Sequence, residues 1–190
     1  MNKKAGKNNL RFIVVHGWAA SPKLFWFPWL KKELKKLGNE VFDPQMPNPV
    51  TPRIEEWVPH LAKVVGEPDK NTVFIGHSVG CQTILRYLET LPVKTKVGPA
   101  ILVAPFLELE GVEKDIARPW LEMPMDIEKI KTHLSKVVAI FSDDDPVVPI
   151  HNKEYFSKDF NSKIVILHSL NHFVTNLQFP ELLEEIQKVI

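Results

Sequence analysis

Cysteine is nearly absent: Cys81 is the sole thiol of the chain. One thiol cannot close an internal disulfide and leaves no pair for a zinc ribbon, so the sequence reads as a cytoplasmic protein. A dominant charge is missing as well. The 24 basic and 23 acidic residues leave a formal net charge of +1 and are spread along the chain. That balance gives no electrostatic footprint for nucleic acid or an anionic membrane, and it suits a small, fairly neutral partner. Long apolar runs are also lacking. Met1–Lys7 is basic and Phe12–Val15 apolar, but that run falls short of the roughly 7–15 residues of a secretion-signal core. Nothing approaches the roughly 20 apolar residues of a membrane span, and no repeat or low-complexity segment interrupts the sequence.

What is present is ordinary globular material. Hydrophobic residues make up 44% and charged residues 25% of the 190, enough apolar side chains to bury one core. Residues 1–9 read as a polar tail and 10–190 as a single domain. Short runs rich in Val, Ile and Phe predict strands at 11–15, 40–43, 72–76, 99–104, 136–142 and 163–168. Helical patterns fall between them at 24–37, 53–65, 79–90, 127–135 and 150–159, and 179–190 closes the chain. This alternation predicts an α/β fold, a mainly parallel sheet with helices on both faces. In the first helix Phe25, Trp29, Leu30, Leu34 and Leu37 form the apolar stripe, while Lys31, Lys32, Lys35 and Lys36 form a solvated face. Residues 105–126 show neither period and carry Pro105, Gly111, Pro119 and Pro124. So long a connection predicts a short lid or pocket segment.

Ligands of open α/β sheets bind at the carboxyl ends of the strands, so the residues just after each strand carry the functional signal. After the third strand comes Gly76-His77-Ser78-Val79-Gly80, followed by the helical pattern Thr83, Ile84, Tyr87, Leu88 and Leu91. This is the strand–turn–helix setting of a G-x-S-x-G nucleophile elbow, in which a strained turn presents the serine at the rim of the sheet. The motif alone fits an ordinary turn with a capping serine equally well. The difference is made by an acid and a histidine that follow in the chain order of α/β hydrolases.

A serine hydroxyl needs an adjacent base, normally a histidine whose other nitrogen is held by a carboxylate. His172 follows the sixth strand in a loop, whereas His168 still belongs to that strand and reads as structural. Asp143, Asp144 and Asp145 offer three acids after the fifth strand. Asp145 is preferred because Pro146 and Pro149 rigidify the turn that follows it, and Asp144 is the fallback. The cluster lacks the alternating acids and central glycine of a calcium loop, so no metal and no cofactor is implied. The oxyanion of an acyl intermediate needs preorganised donors, for which the amides of Val79, after the serine, and Trp18, after the first strand, are the candidates. Gly17 allows close approach there, and His16 reads as a packed residue that steadies this loop. Trp18, Phe106, Trp120 and Phe173 are candidate pocket walls. Cys81, one turn past the elbow, reads as a small apolar core residue.

Several segments together carry a more specific likeness. They are Trp29-Leu30-Lys31-Lys32-Glu33-Leu34, Met46-Pro47-Asn48-Pro49-Val50-Thr51, Trp57-Val58-Pro59, the elbow continuing to Arg86-Tyr87-Leu88-Glu89-Thr90, Arg118-Pro119-Trp120, Glu128-Lys129-Ile130-Lys131, Asp144-Asp145-Pro146 and His172-Phe173. On these the chain resembles the retinoblastoma-binding-protein-like small serine hydrolases of the α/β-hydrolase superfamily. The resemblance implies an α/β-hydrolase fold with a minimal lid and a triad of Ser78, Asp145 and His172. Two departures stand out. The Leu-x-Cys-x-Glu partner motif is missing, since Val79 and Thr83 flank Cys81, so retinoblastoma-type binding is not expected. Asn171 stands before His172 where glycine is usual, a substitution that asparagine's tolerance of positive φ permits.

The expected function is therefore hydrolysis of a carboxylic ester or similar acyl compound, with a small or medium acyl group because the lid is short. Amide, peptide and thioester cleavage would use the same triad. The competing reading is a hydrolase scaffold reduced to binding a ligand or a protein, which the intact trio at matching strand ends argues against.

Overall fold

The computed structural model describes residues 9–111 and 114–190, so the expected polar tail over 1–9 falls almost wholly outside the described residues. Among these, six strands form one sheet: β1 (Arg11–Val15), β2 (Glu40–Phe42), β3 (Thr72–His77), β4 (Ala100–Val103), β5 (Val137–Ser142) and β6 (Lys163–Leu167). Their order is β2-β1-β3-β4-β5-β6, and every neighbouring pair is parallel. Every residue of β3, β4 and β5 is buried, which explains why their sequences are apolar on both faces rather than alternating. The outer strands β2 and β6 are partly exposed.

Among the described residues, seven helices connect and close the sheet: α1 (Phe27–Lys36), α2 (Ile54–Val65), α3 (Val79–Thr90), α4 (Lys114–Glu122), α5 (Ile127–His133), α6 (Asn152–Asp159) and α7 (Pro180–Val189). From β1 the chain steps outward to β2, then returns past β1 to β3 and continues the other way. Right-handed crossovers in opposite directions put their helices on opposite faces, so α1 lies on one face and α2, α3, α5 and α6 on the other. The packing agrees. Trp26 at the head of α1 meets Phe179 at the head of α7, with ring centroids 5.7 Å apart, whereas α3 packs on α2 and α5. The reversal between β1 and β3 opens a crevice at their carboxyl ends.

The predicted helix over 24–37 begins only at Phe27. Phe25 is in the left-handed region (φ 54°), and Pro28, whose ring presets helical φ, marks the first turn. The segment 105–126 departs further from expectation, because it contains α4. Pro119 lies inside this helix, breaking the pattern, and only Ala117 and Trp120 among its described residues are fully buried. The core continues beneath it through Trp57 and Trp120, whose rings cross edge to face at 6.2 Å. Cys81 is fully buried; its thiol donates to the Val103 carbonyl (3.4 Å), and burial pushes its pKa up. Among the described residues no helix is long and apolar enough to cross a membrane.

Candidate active site

Ser78 sits between the last residue of β3 and the first of α3 with φ 53° and ψ −121°. A residue with a Cβ is driven into that region only at a cost of about 1–3 kcal/mol, which the surroundings offset. The Ser78 amide donates to the Val103 carbonyl on β4 (2.9 Å) and its carbonyl accepts from the Cys81 amide (2.9 Å). The flanking glycines are required by space. A Cβ on Gly76 would lie 2.8 Å from the Cys81 amide nitrogen, and one on Gly80 would collide with the Val15 carbonyl. The loop after β1 comes equally close: a Cβ on Gly17 would stand 3.3 Å from the Ser78 Cβ. His16 steadies that loop as expected. Its Nε2 accepts from the Met46 amide (3.0 Å), its ring crosses Trp57 edge to face (5.4 Å), and burial pushes its pKa down.

The three acids after β5 have three different duties. Asp143 Oδ2 takes His168 Nδ1 (2.6 Å) and its Oδ1 the Ser169 amide (3.1 Å). Asp144 Oδ1 accepts from the Ser142 hydroxyl (2.6 Å) and the Asn171 amide (2.8 Å). Asp145 Oδ1 accepts from the amides of Val147 (2.8 Å) and Val148 (3.0 Å), so the turn that the prolines stiffen also fixes the carboxylate. Its Oδ2 lies 2.8 Å from His172 Nδ1, with side-chain exposures of 2% and 15%. A carboxylate accepts only from a protonated nitrogen, so the neutral His172 ring carries its proton on Nδ1 and leaves a lone pair on Nε2.

His172 is presented by a loop of unusual backbone: Ser169, Asn171 and Phe173 have φ of 58°, 48° and 58°. Asparagine at 171 thus occupies the left-handed conformation that the sequence implied. Besides Asp143 and Asp144, two groups that sequence reasoning did not single out hold this loop. Trp26 Nε1 donates to the Phe173 carbonyl (3.1 Å), and His77 Nε2 meets the His172 carbonyl (2.9 Å). Neither residue belongs to a pattern that would announce it, since each acts on a partner far away in sequence.

Ser78 and His172 border one cavity of about 210 Å³, together with His77 and Val79. Its remaining wall consists of Trp18, Phe25, Phe106, Leu109, Ala117, Trp120, Val147 and Val174. Of the predicted pocket residues, Trp18, Phe106 and Trp120 border this cavity, and α4 supplies its far wall. Phe173 is not among the lining residues. It is completely buried and stacks on Phe179 at 5.3 Å, because its positive φ carries it into the core while Val174 takes the wall. The helix α4 is pinned by buried Arg86, which donates to the carbonyls of Trp120 (3.1 Å) and Met123 (2.8 Å), and by Trp120 Nε1 on the Pro52 carbonyl (3.0 Å). A larger hollow of about 500 Å³ lies at the amino ends of β5 and β6 among Lys131, Lys136, Lys163 and Lys188, remote from this chemistry.

A parallel doubly wound sheet with an elbow serine and an acid-held histidine at its switch point defines an α/β hydrolase. The chain belongs to the serine hydrolase family, whose match spans residues 12–190. It is 35% identical over 167 residues to the putative hydrolase YdeN of Bacillus subtilis (strain 168), covering 84% of this chain and 82% of that one. Serine hydrolase RBBP9 of Rattus norvegicus is 28% identical over 179 residues, covering 94% and 89% of the two chains. The crystal structure of the ydeN gene product from B. subtilis superposes with a TM-score of 0.89 over 95% of this chain and 98% of its own, at 28% identity. Est1E of Butyrivibrio proteoclasticus with bound ferulic acid has a TM-score of 0.71 at 15% identity, covering 100% and 90%, a likeness of fold.

Proposed function

We propose that this serine hydrolase is a carboxylesterase-type enzyme acting through a Ser78–His172–Asp145 triad. The observation that carries the proposal is the largely shielded Asp145–His172 pair at 2.8 Å, whose histidine borders the same small cavity as the elbow serine. Ser78 Oγ bonds to the substrate carbonyl carbon as its proton passes to His172 Nε2. Collapse of the tetrahedral intermediate returns that proton to the departing alcohol and leaves an acyl-serine. Water then repeats the sequence, with His172 as base, and releases the acid. Asp145 holds the ring in the required tautomer and offsets the charge of the imidazolium. The Val79 and Trp18 amides, on the two segments that converge at Ser78, are assigned to the oxyanion, where one donor contributes about 3–4 kcal/mol.

Among the described residues, the cavity wall bears no aspartate, glutamate, lysine or arginine, so these offer an acyl group apolar contact and no charge partner. Its roughly 210 Å³ is smaller than the about 300–1,000 Å³ typical of sites for drug-sized ligands. A short, uncharged acyl group is the proposed substrate portion, a small molecule is the proposed partner, and the buried unpaired thiol fits a cytoplasmic setting. The test is turnover of a p-nitrophenyl ester series from acetate to dodecanoate. Short esters should turn over fastest, and Ser78→Ala should abolish the activity. Preference for the long esters would overturn the acyl assignment, and no turnover of any ester would favour a binding role for the scaffold.

A further inference from the structure

The buried residue beside the nucleophile is not used by the mechanism above. His77 ends β3 and is 2% exposed. Its Nε2 is 2.9 Å from the carbonyl of His172, a residue 95 positions away, and the two imidazole rings are 4.9 Å apart. Among the described residues its Nδ1 has no hydrogen-bond partner, and it faces Gly17, where a Cβ would stand 2.8 Å away. A carbonyl only accepts, so the proton of the neutral ring must be on Nε2.

We propose that His77 is a positioning residue, whose Nε2–H holds the His172 loop in register with the nucleophile through the His172 carbonyl. The inference rests on the esterase reading of the site. Three features of the loop make such a tie necessary. Its alternating positive φ values at Ser169, Asn171 and Phe173 are conformations that persist only where the surroundings over-determine them. The bonds from Asp143 and Asp144 reach the loop at Ser169 and Asn171, before the base, and that from Trp26 reaches it at Phe173, after the base. Among the described residues, only the bond from His77 falls on the backbone of His172, and it comes from the residue covalently joined to Ser78. The spacing of nucleophile and base is thereby set by one peptide unit and one hydrogen bond.

The neutral state of this donor matters as well. Burial, reinforced by the nearby His172, pushes the His77 pKa down to about 3, so the ring stays uncharged at neutral pH. A cation 4.9 Å from the base would oppose formation of the imidazolium. Lysine or arginine is therefore no substitute, although either donates hydrogen bonds.

The test compares His77→Gln, whose side-chain amide reaches the place of Nε2, with His77→Asn, whose shorter amide reaches only that of Nδ1, and with apolar His77→Phe. Ester turnover and the rate of fluorophosphonate labelling are measured for each, with thermal unfolding alongside. His77→Asn should lose about 100-fold in kcat, the scale of a misplacement of about 1 Å, with KM changed less than about twofold and labelling slowed in parallel. His77→Gln should recover most of that loss, and folded His77→Phe should match the Asn variant. If Gln and Asn lose kcat equally, or Asn keeps the parent kcat, the positioning role is wrong while the esterase reading stands. If the unsubstituted protein neither labels nor turns over ester, both fall.

Discussion

Two aspartate–histidine pairs stand side by side at the carboxyl ends of β5 and β6, and distance does not tell them apart. Asp143 and His168 are 2.6 Å apart, Asp145 and His172 2.8 Å. Their surroundings differ completely. The Asp143 and His168 side chains are 43% and 80% exposed, against 2% and 15% for Asp145 and His172, and His172 alone of the two histidines borders the cavity of Ser78. Water competes for an exposed pair, which contributes little and is free to rearrange. A shielded pair with its carboxylate fixed by two further amides holds one tautomer in one orientation. The lesson is that an acid–histidine contact becomes a catalytic candidate through burial and a shared cavity, not through its length.

The largest effect expected from breaking this contrast is at the histidines. His172→Ala should lower ester kcat by at least about 1,000-fold, the scale of losing the base of such a triad, whereas His168→Ala should stay within about twofold; comparable losses would erase the distinction. Next come their acids. Asp145→Asn should cost on the order of 1,000–10,000-fold in kcat by admitting the wrong tautomer, while Asp143→Asn leaves steady-state kinetics within about twofold. Asp144 lies between the two pairs and sharpens the comparison. Its removal in Asp144→Ala frees the Asn171 amide and the Ser142 hydroxyl, and about 1 kcal/mol of stability with about tenfold in kcat should go; denaturant melts and ester assays read both.

The smallest effect is electrostatic. Hydrogen bonds from His168 and then from the Ser169 amide hold the Asp143 carboxyl below the usual carboxylate range. An acid depressed in the folded state stabilises it above the ordinary carboxylate pKa and loses that contribution as pH falls through the depressed value. The thermal midpoint of Asp143→Asn should therefore sit slightly below the parent at neutral pH, and the gap should close in strong acid. A gap that persists unchanged to the lowest pH would contradict the assignment.

The same contrast explains what was legible in the sequence. The central strands announced themselves because burial on both faces demands continuous apolar runs, as in Val137–Ser142. The elbow was legible because Gly76 and Gly80 are dictated by local crowding that a five-residue window records. Choosing Asp145 over its two neighbours drew on Pro146 and Pro149, whose turn delivers the amides of Val147 and Val148 to the carboxylate. By contrast α4 was hidden, since Pro119 interrupts its period and Arg86, which pins it, comes from another helix. His77 was passed over as the variable position of the motif, because its partner lies across the crevice. Phe173 was expected on the wall because it lies near a strand end, a position that says nothing of the positive φ at which it stands.

Ser78 is the proposed nucleophile, activated by His172, which Asp145 holds. These roles are tested most directly by treating the protein with a fluorophosphonate and mapping the adduct by peptide mass spectrometry. One adduct per chain is expected, on Ser78, formed at a rate that collapses in His172→Ala and persists in His168→Ala. An adduct on another residue, or labelling of Ser78 that proceeds unchanged without His172, would contradict these roles.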